Sequence, residues 1–343
     1  MSAPPATLGP ALKKARLVSS FFKGQPISCT WQVTPRCGSL CVFCEHRAEG
    51  ATGELDLAGC RQVAAALTRM GSLVVSLSGG DPFLRPDLSE LVRELAGAHF
   101  PIVSTHGWLV TREKARELWQ AGLEAATLTL DHADATRQDE AAGVPGAHAR
   151  ALLALQALSR ERTRASQQVN VRARLGAGDL SGLPALLQLA ADHGATVCVE
   201  PGFPLTGQAN GHGVPGERHD EARTAVTARL RDLEGRYPNL RTSHFFLEHL
   251  DAALAGGVPG CQGGRSFFNV DHRGQVSKCV EFRAPEDRAG NFLRDAPSAV
   301  LPRLRAIQAS NTCRACWYGS RGEVEGLYTL RGFLGGVTAL VRA

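Results

Sequence analysis

One pattern governs the first two thirds of the chain: short apolar runs alternate with amphipathic helical stretches. The apolar runs are Ser28–Val33, Leu73–Leu77, Pro101–Ser104, Ala126–Leu130, Val169–Ala173 and Thr196–Glu200. Between them, Ala58–Met70, Asp87–Ala98, Arg112–Ala121, Gly146–Arg160 and Leu180–His193 carry apolar residues at helical spacing. A strand that returns through a helix runs parallel to the one before it, so the pattern predicts parallel βαβ units with right-handed crossovers. Six strands fall short of the eight that close a full barrel. The expected fold is therefore α/β, a (β/α)6 partial TIM barrel. Active residues of such a sheet gather at the C-terminal ends of the strands.

Three segments are expected. Residues 1–25 read as an N-terminal leader with one amphipathic stretch, Leu12–Phe22, and residues 26–216 as the barrel. The barrel ends in the Gly- and Pro-rich run Pro201–Gly216, which reads as a boundary or loop. Residues 217–343 read as a small α+β domain. It has helices at Asp220–Arg236 and His244–Ala255 and a hairpin at Ser266–Cys279, turning on His272-Arg273-Gly274.

The net charge of +5 comes from arginines scattered among acids. That argues against nucleic acid, which needs a clustered basic face. Lys13, Lys14 and Arg16 are followed by no apolar core of a signal peptide. No apolar run reaches the ~18 residues of a membrane span. A cytoplasmic location is expected. Clustered cysteines in that reducing setting point to metal ligation rather than disulfides, and the chain has ten cysteines.

Cys37, Cys41 and Cys44 follow the first strand in TPRCGSLCVFCEHR, with spacing C-x3-C-x2-C. Gly38 and Ser39 give the loop the freedom to curl around one centre. A structural zinc site takes four ligands, so a zinc reading needs a distant fourth cysteine. Three thiolates suit an iron–sulfur cluster with one iron left open.

With Phe43 just before the last cysteine, this motif resembles the signature of the radical S-adenosylmethionine (SAM) superfamily, over roughly residues 28–202. The resemblance implies a [4Fe–4S] cluster on Cys37, Cys41 and Cys44, with SAM chelating its open iron. Ser78-Gly79-Gly80-Asp81-Pro82 resembles the family's GGEP motif, with Asp in place of Glu, and implies backbone contact with the SAM amino group. Ser104-Thr105-His106-Gly107 resembles its TNG motif, with His in place of Asn. Thr129-Leu130-Asp131 resembles its S-x-D motif. Arg172 is the expected partner of the SAM carboxylate, and Glu200 is expected near the adenine. The SAM-binding set is thus Phe43, Ser78, Gly79, Gly80, Asp81, Thr105, Thr129, Asp131, Arg172 and Glu200.

A second cysteine set lies near the C-terminus: Cys261 and Cys279 flank the hairpin, and Cys313-Arg-Ala-Cys316 is a C-x2-C pair. Two such pairs close a four-thiolate site in zinc ribbons and in iron–sulfur domains alike. Behind the first motif, the set resembles the Twitch domain, the shortened relative of the SPASM domain. Its layout is similar to that of 2-deoxy-scyllo-inosamine dehydrogenase and implies one auxiliary [4Fe–4S] cluster. Cys29, Cys60 and Cys198 sit in apolar patterns and read as buried free thiols.

The resemblance implies an enzyme. One electron from a flavodoxin or ferredoxin splits SAM to a 5′-deoxyadenosyl radical, which takes a hydrogen atom from a biosynthetic intermediate. Net oxidation through the auxiliary cluster is the leading expectation. The alternatives are maturation of a ribosomal peptide, modification of a lipid, and a non-catalytic Fe–S or zinc protein. The absence of a separate leader-binding domain before the barrel weighs against a peptide. Proton-transfer candidates are His46 and His106. Arg321, Glu323 and Glu325, in the loop WYGSRGEVEG, read equally as a solvated turn or a substrate-orienting cluster. Phe43, Trp108, Trp317 and Tyr318 read as core or cavity lining, the last two as a possible shield for the second cluster. The apolar spacing of Gly326–Ala343 is that of a helix docked on the protein or lying on a membrane surface.

Overall fold

The computed structural model describes residues 15, 18–20, 22–38, 52–175, 180–201, 220–255, 257–281, 284–314 and 316–329. Six strands stand within about two residues of their predicted places: β1 (Ser28–Thr34), β2 (Val74–Gly79), β3 (Phe100–Thr105), β4 (Ala125–Thr129), β5 (Gln168–Leu175) and β6 (Thr196–Pro201). Each runs parallel to the next in sequence. Three more follow: β7 (Phe267–Val270), β8 (Gln275–Ser277) and β9 (Arg288–Asn291). β7 lies parallel against the free edge of β1, and β8 and β9 add antiparallel. The whole is one nine-stranded sheet, in the order β6-β5-β4-β3-β2-β1-β7-β8-β9. The cysteine-bearing hairpin therefore extends the barrel's own sheet rather than building a separate one.

The helices are α1 (Leu57–Met70), α2 (Leu88–Ala96), α3 (Arg112–Ala121), α4 (Ala135–Ala142), α5 (Ala147–Arg160), α6 (Leu183–Asp192), α7 (Asp220–Arg236), α8 (His244–Ala255), α9 (Pro297–Ala309) and α10 (Gly319–Leu327). Local signals set their ends. Asp56 and Thr111 cap α1 and α3 by accepting from the backbone N–H three residues on. Sequence periodicity misses α4, α9 and α10. α4 (ATRQDEAA) has too few apolar residues to show a stripe. α9 carries Pro302, which ordinarily breaks a helix. α10 contains Gly319, Gly322 and Gly326, poor helix formers whose cost is offset here by packing. α10 packs on α8 and touches β6 and β7, so it ties the C-terminal part to both halves of the sheet.

Strand periodicity divides the sheet into two unlike faces. One presents Cys29, Trp31, Val33, Val75, Leu77, Val103, Leu128, Val169, Val171 and Val197, each at most 1% exposed. It packs under Leu67 of α1, Leu91 and Leu95 of α2, Leu155 of α5 and Leu187 of α6. Each such leucine contributes about 1.5–3 kcal/mol through burial. The opposite face carries Thr30, Ser76, Ser78, Ser104, Thr129, Asn170, Arg172, Arg174, Cys198 and Glu200, all only half-buried. It is a polar wall with room beside it. The leader's last turn docks on the barrel, where Ser20 Oγ donates to the Gly71 carbonyl at 3.0 Å. The expected boundary at 216/217 and most of the C-terminal tail lie outside the described residues. No described helix is long and apolar enough to cross a membrane.

Candidate functional site

At the C-terminal ends of the strands, the described start of the β1 loop meets the turn after β2, and that turn meets the one after β3. Of the first cysteine trio, Cys37 is described and exposed. Cys41, Cys44, Phe43 and His46 lie outside the described residues. What the structure does show is how the cysteine loop is anchored at both ends. Arg36, before Cys37, places Nη2 at 2.8 Å and Nε at 3.0 Å on the carboxylate of Glu54, beyond the loop. Thr34 Oγ1 donates to the same carboxylate at 2.9 Å. Arg85, its side chain 3% exposed, donates from Nη1 to the carbonyls of Val33 (3.1 Å) and Leu55 (3.0 Å), one on each side of the loop. Asp87 holds the other edge of that guanidinium at 2.9 and 2.7 Å. Motif reading misses Arg36, Glu54 and Arg85. Their partners lie up to 52 residues apart, and no local pattern announces such pairs.

The turn after β2 is stitched to the same loop. Gly80 N donates to the Thr34 carbonyl and Asp81 N to the Arg36 carbonyl, both at 2.8 Å. A turn whose N–H donors are committed can offer a ligand only carbonyl acceptors, the polarity an ammonium group requires. The approach is so close that glycine is obligatory. A Cβ on Gly79, at φ +125°, would lie 2.1 Å from the Thr34 oxygen, and one on Gly80 would lie 1.9 Å from the Arg36 oxygen. Gly80→Ala must therefore push the two loops apart. We expect SAM cleavage to fall at least about tenfold, since misplacement by an ångström costs that much or more; assay of 5′-deoxyadenosine release checks it.

The Asp81 side chain turns inward, 3% exposed. It accepts from Phe83 N (3.0 Å), Thr105 Oγ1 (3.1 and 2.9 Å to its two oxygens) and His106 N (3.2 Å). Asp81 and Thr105 thus join the β2 and β3 loops, and only the backbone at Asp81 is left for a ligand. Burial raises the Asp81 pKa, against the pull of the Phe83 N–H and the nearby His106. Burial lowers that of His106, against Asp81. Asp81→Ala strands three donors, a loss of about 1–3 kcal/mol. Urea unfolding at neutral pH should show it as a lowered midpoint with unchanged slope.

Two of the expected SAM-site residues, Asp131 and Arg172, stand among protein partners. Asp131 does not stand free at the end of β4. Arg174 Nε (3.1 Å) and Nη2 grip its carboxylate in a bidentate pair, and Arg174 N adds a bond at 2.8 Å. Arg172 and Arg174 alternate on the same face of β5, and Arg174, nearer the loop, is the one that pairs with Asp131. Arg172 stands 3.6 Å from Glu200, with a third of its side chain exposed. Glu200 is held from a second direction, since its Oε1 accepts from Gly319 N at 3.0 Å. The last barrel strand is thereby bonded to a residue three positions after Cys316. Ser78 and Thr129 line the polar wall, whereas Trp108, in the loop after β3, lies under Arg150 of α5 at 5.9 Å.

The second cysteine set is described in full: Cys261 is buried, and Cys279, Cys313 and Cys316 are half-buried. A hydrogen bond to the Cys313 thiol, and then burial, drive the Cys261 pKa far up, while Arg321 pulls it down. Burial pushes Cys316 to about 11, again opposed by Arg321. Gly263 N donates to Cys261 Sγ at 3.4 Å. Asn311 spans the set: its Nδ2 donates to the Cys261 carbonyl (3.1 Å), and its Oδ1 accepts from Cys313 N (3.2 Å) and Lys278 Nζ (3.4 Å). Ser277 Oγ donates to the Cys279 carbonyl at 3.0 Å. Among the described residues no three His, Cys, Asp or Glu side chains close on a single ion. Cys261, Cys313 and Cys316 lie close enough to shift one another's titration, and with Cys279 on the hairpin they are the four thiols that would hold an iron–sulfur cluster. Cys29 and Cys60 are buried, as expected; Cys198 is half-buried on the polar wall.

Arg321, Glu323 and Glu325 are not in a loop but on α10, and none is a solvated charge. Arg321 is fully buried, and Trp317, 2% exposed, packs on its guanidinium at 5.3 Å. Glu325 Oε1 accepts from Arg321 Nε (3.3 Å) and Gln262 N (2.8 Å), and Glu323 Oε1 accepts from Ser243 N (3.0 Å). Burial raises the pKa of both carboxyls. The only sequence signal for this arrangement is the Arg-x3-Glu spacing, which any exposed helix also shows.

Residues 31–168 match the family model of the radical SAM superfamily. The mycofactocin maturase MftC of Mycolicibacterium smegmatis is 30% identical over 317 residues, 88% of this chain and 78% of that protein. The PqqA peptide cyclase of Rhodopseudomonas palustris is 29% identical over 279 residues, 78% of this chain and 70% of that protein. Among solved structures, Streptococcus suis SuiB bound to S-adenosylmethionine superposes with a TM-score of 0.68 at 14% identity, covering 87% of this chain and 72% of that one. The same protein bound to its precursor peptide SuiA gives 0.67 at 14% identity, covering 92% and 77%. The fold these likenesses share is the partial barrel.

Proposed function

Because the chain belongs to the radical SAM superfamily, an enzyme family that uses a [4Fe–4S] cluster and S-adenosylmethionine, we propose that it matures a ribosomally made precursor peptide. In this reading it oxidises one residue of the peptide with the help of an auxiliary [4Fe–4S] cluster. The carrying observation is that a relative named a maturase and one named a peptide cyclase align with 88% and 78% of this chain. The peptide reading narrows the broader expectation of a biosynthetic intermediate to one of the alternatives the sequence leaves open. Bound together, the first cluster and SAM supply a 5′-deoxyadenosyl radical, and the cofactors carry the hard chemistry.

The chain's own residues place and enclose. Cys37, Cys41 and Cys44 hold the first cluster, and the Arg36–Glu54–Arg85 clamp fixes the base of their loop. The Gly79–Gly80 turn presents carbonyls to the SAM amino group. Arg172, paired with Glu200 only at 3.6 Å, remains able to meet a carboxylate. The half-buried wall of serine, threonine and asparagine from Thr30 to Asn170 gives an extended peptide backbone hydrogen-bonding partners. Cys261, Cys279, Cys313 and Cys316 hold the auxiliary cluster. The Glu200–Gly319 bond ties the segment after Cys316 to the C-terminal end of β6, and a cluster held there would supply an acceptor for an electron from the peptide. A flavodoxin or ferredoxin in the cytoplasm is the proposed donor to the first cluster.

The test is anaerobic reconstitution followed by incubation with SAM, dithionite and a precursor peptide encoded beside the gene, deuterated at each residue type in turn. About eight iron and eight sulfide per chain are expected for two four-iron clusters. Deuterium should move from one residue of the peptide into 5′-deoxyadenosine. Release of 5′-deoxyadenosine with no deuterium from any peptide residue would point to a small-molecule or lipid substrate instead. Stoichiometric zinc without 5′-deoxyadenosine would defeat the enzyme assignment itself.

A further inference from the structure

Arg321 is a fully buried ionic side chain between the two halves of the second cysteine set. Its guanidinium reaches both. Nη1 donates to the Cys316 carbonyl at 2.8 Å. Nη2 donates to the Val258 carbonyl at 2.5 Å and the Pro259 carbonyl at 3.2 Å, on the segment that leads into Cys261. Nε meets Glu325 at 3.3 Å, and that carboxylate accepts from the N–H of Gln262, the residue after Cys261. The arginine is 0% exposed, and its face is covered by Trp317. A guanidinium stays charged under all ordinary conditions, so this is a permanent buried cation with one carboxylate beside it, shielded from water and salt.

Such a charge does more than staple two loops. The reduced form of a four-thiolate cluster carries one more negative charge than the oxidised form. A nearby cation in a low-dielectric setting favours the more negative form. We propose that Arg321 is a positioning residue for the auxiliary cluster whose fixed charge raises that cluster's reduction potential, and that Glu325 partly offsets it. This rests on the reading of Cys261, Cys279, Cys313 and Cys316 as cluster ligands. The balance between the two side chains then sets how readily the cluster takes an electron.

The experiment is a redox titration followed by electron paramagnetic resonance. It is carried out on the full chain with Cys37, Cys41 and Cys44 all replaced by alanine, so that only the auxiliary cluster reports. Three variants are compared in that background: Arg321→Gln, Arg321→Lys and Glu325→Gln. Loss of the cation in Arg321→Gln should shift the oxidised-to-reduced ratio at fixed potential at least about tenfold toward oxidised, or 59 mV for a one-electron couple. Arg321→Lys keeps the charge and should stay within about threefold of the parent. Glu325→Gln leaves the cation uncompensated and should shift the ratio the other way. Opposite shifts from the two neutralising changes support the proposal, because mere loosening of the loops would move both the same way. If Arg321→Gln fails to load iron, the sign of the Glu325→Gln shift decides. Unchanged potentials, or shifts of one sign in both, overturn the proposal while leaving the cluster assignment intact. A parent that binds no iron at these four cysteines removes the cluster reading, and the inference falls with it.

Discussion

Replacing Cys37, Cys41 and Cys44 together by alanine lowers reductive SAM cleavage to the level of a protein-free blank. Thr34, Arg36, Glu54 and Arg85 hold the two ends of the cysteine segment within hydrogen-bond reach of one another. These contacts belong to the loop's base and do not involve the thiols, so the fold survives the change. The cost falls on the cluster alone. Iron per chain should drop by about half, from eight toward four, as one of two four-iron groups is lost. Far-ultraviolet circular dichroism should be unchanged. Iron analysis, the dichroism spectrum and chromatographic assay of 5′-deoxyadenosine check the three parts. Cleavage persisting above a tenth of the parent rate would show that these thiolates do not carry the chemistry.

The second large effect is a separation of two activities. Cys313→Ala with Cys316→Ala should leave SAM cleavage within about threefold of the parent, yet reduce conversion of the precursor peptide at least a hundredfold. Loss of an outer-shell partner of a metal centre costs 10- to 100-fold, and loss of two ligands should cost more. The separation follows from the architecture. The described turns of the SAM side lie at the ends of β2 to β4, whereas the second cysteine set flanks the β7–β8 hairpin and the approach to α10. The two are joined at the Glu200–Gly319 bond and at the hairpin turn, where Arg273 Nε donates to the Thr52 carbonyl at 3.2 Å. Parallel assays of 5′-deoxyadenosine and of peptide product check it. Equal loss of both activities would mean that the second set is needed for the first cluster to work at all. Loss of neither would make it a bystander.

The barrel was legible because its strands and helices are local in sequence and regular in period. Alternation along β1 to β6 separates an apolar face from a polar one, and α1 and α3 announce themselves by caps. The cysteine motifs were legible for a different reason: a cluster needs several thiolates on a short, flexible segment, and few other chemistries do. Elements stabilised mainly by partners far along the chain stayed hidden. The glycines of α10 and the proline of α9 argue against helices that tertiary packing nevertheless forms. Arg36, Arg85, Arg174 and Arg321 look alike on the page. Only the fold shows that Arg85 and Arg321 are buried against backbone carbonyls, and that Arg174 grips Asp131. Charge alone says nothing about burial, and burial is what separates a structural guanidinium from one left to meet a ligand.

The account stands on the open iron of the first cluster being the place where the cofactor binds. Electron–nuclear double resonance of the reduced protein, with SAM labelled by nitrogen-15 in its amino group and oxygen-17 in its carboxylate, tests this directly. The predicted result is a resolved coupling from both labels, lost when Cys37, Cys41 and Cys44 are alanine and kept when Cys313 and Cys316 are. A spectrum without coupling from either label, in a protein that holds its full complement of iron, would contradict it.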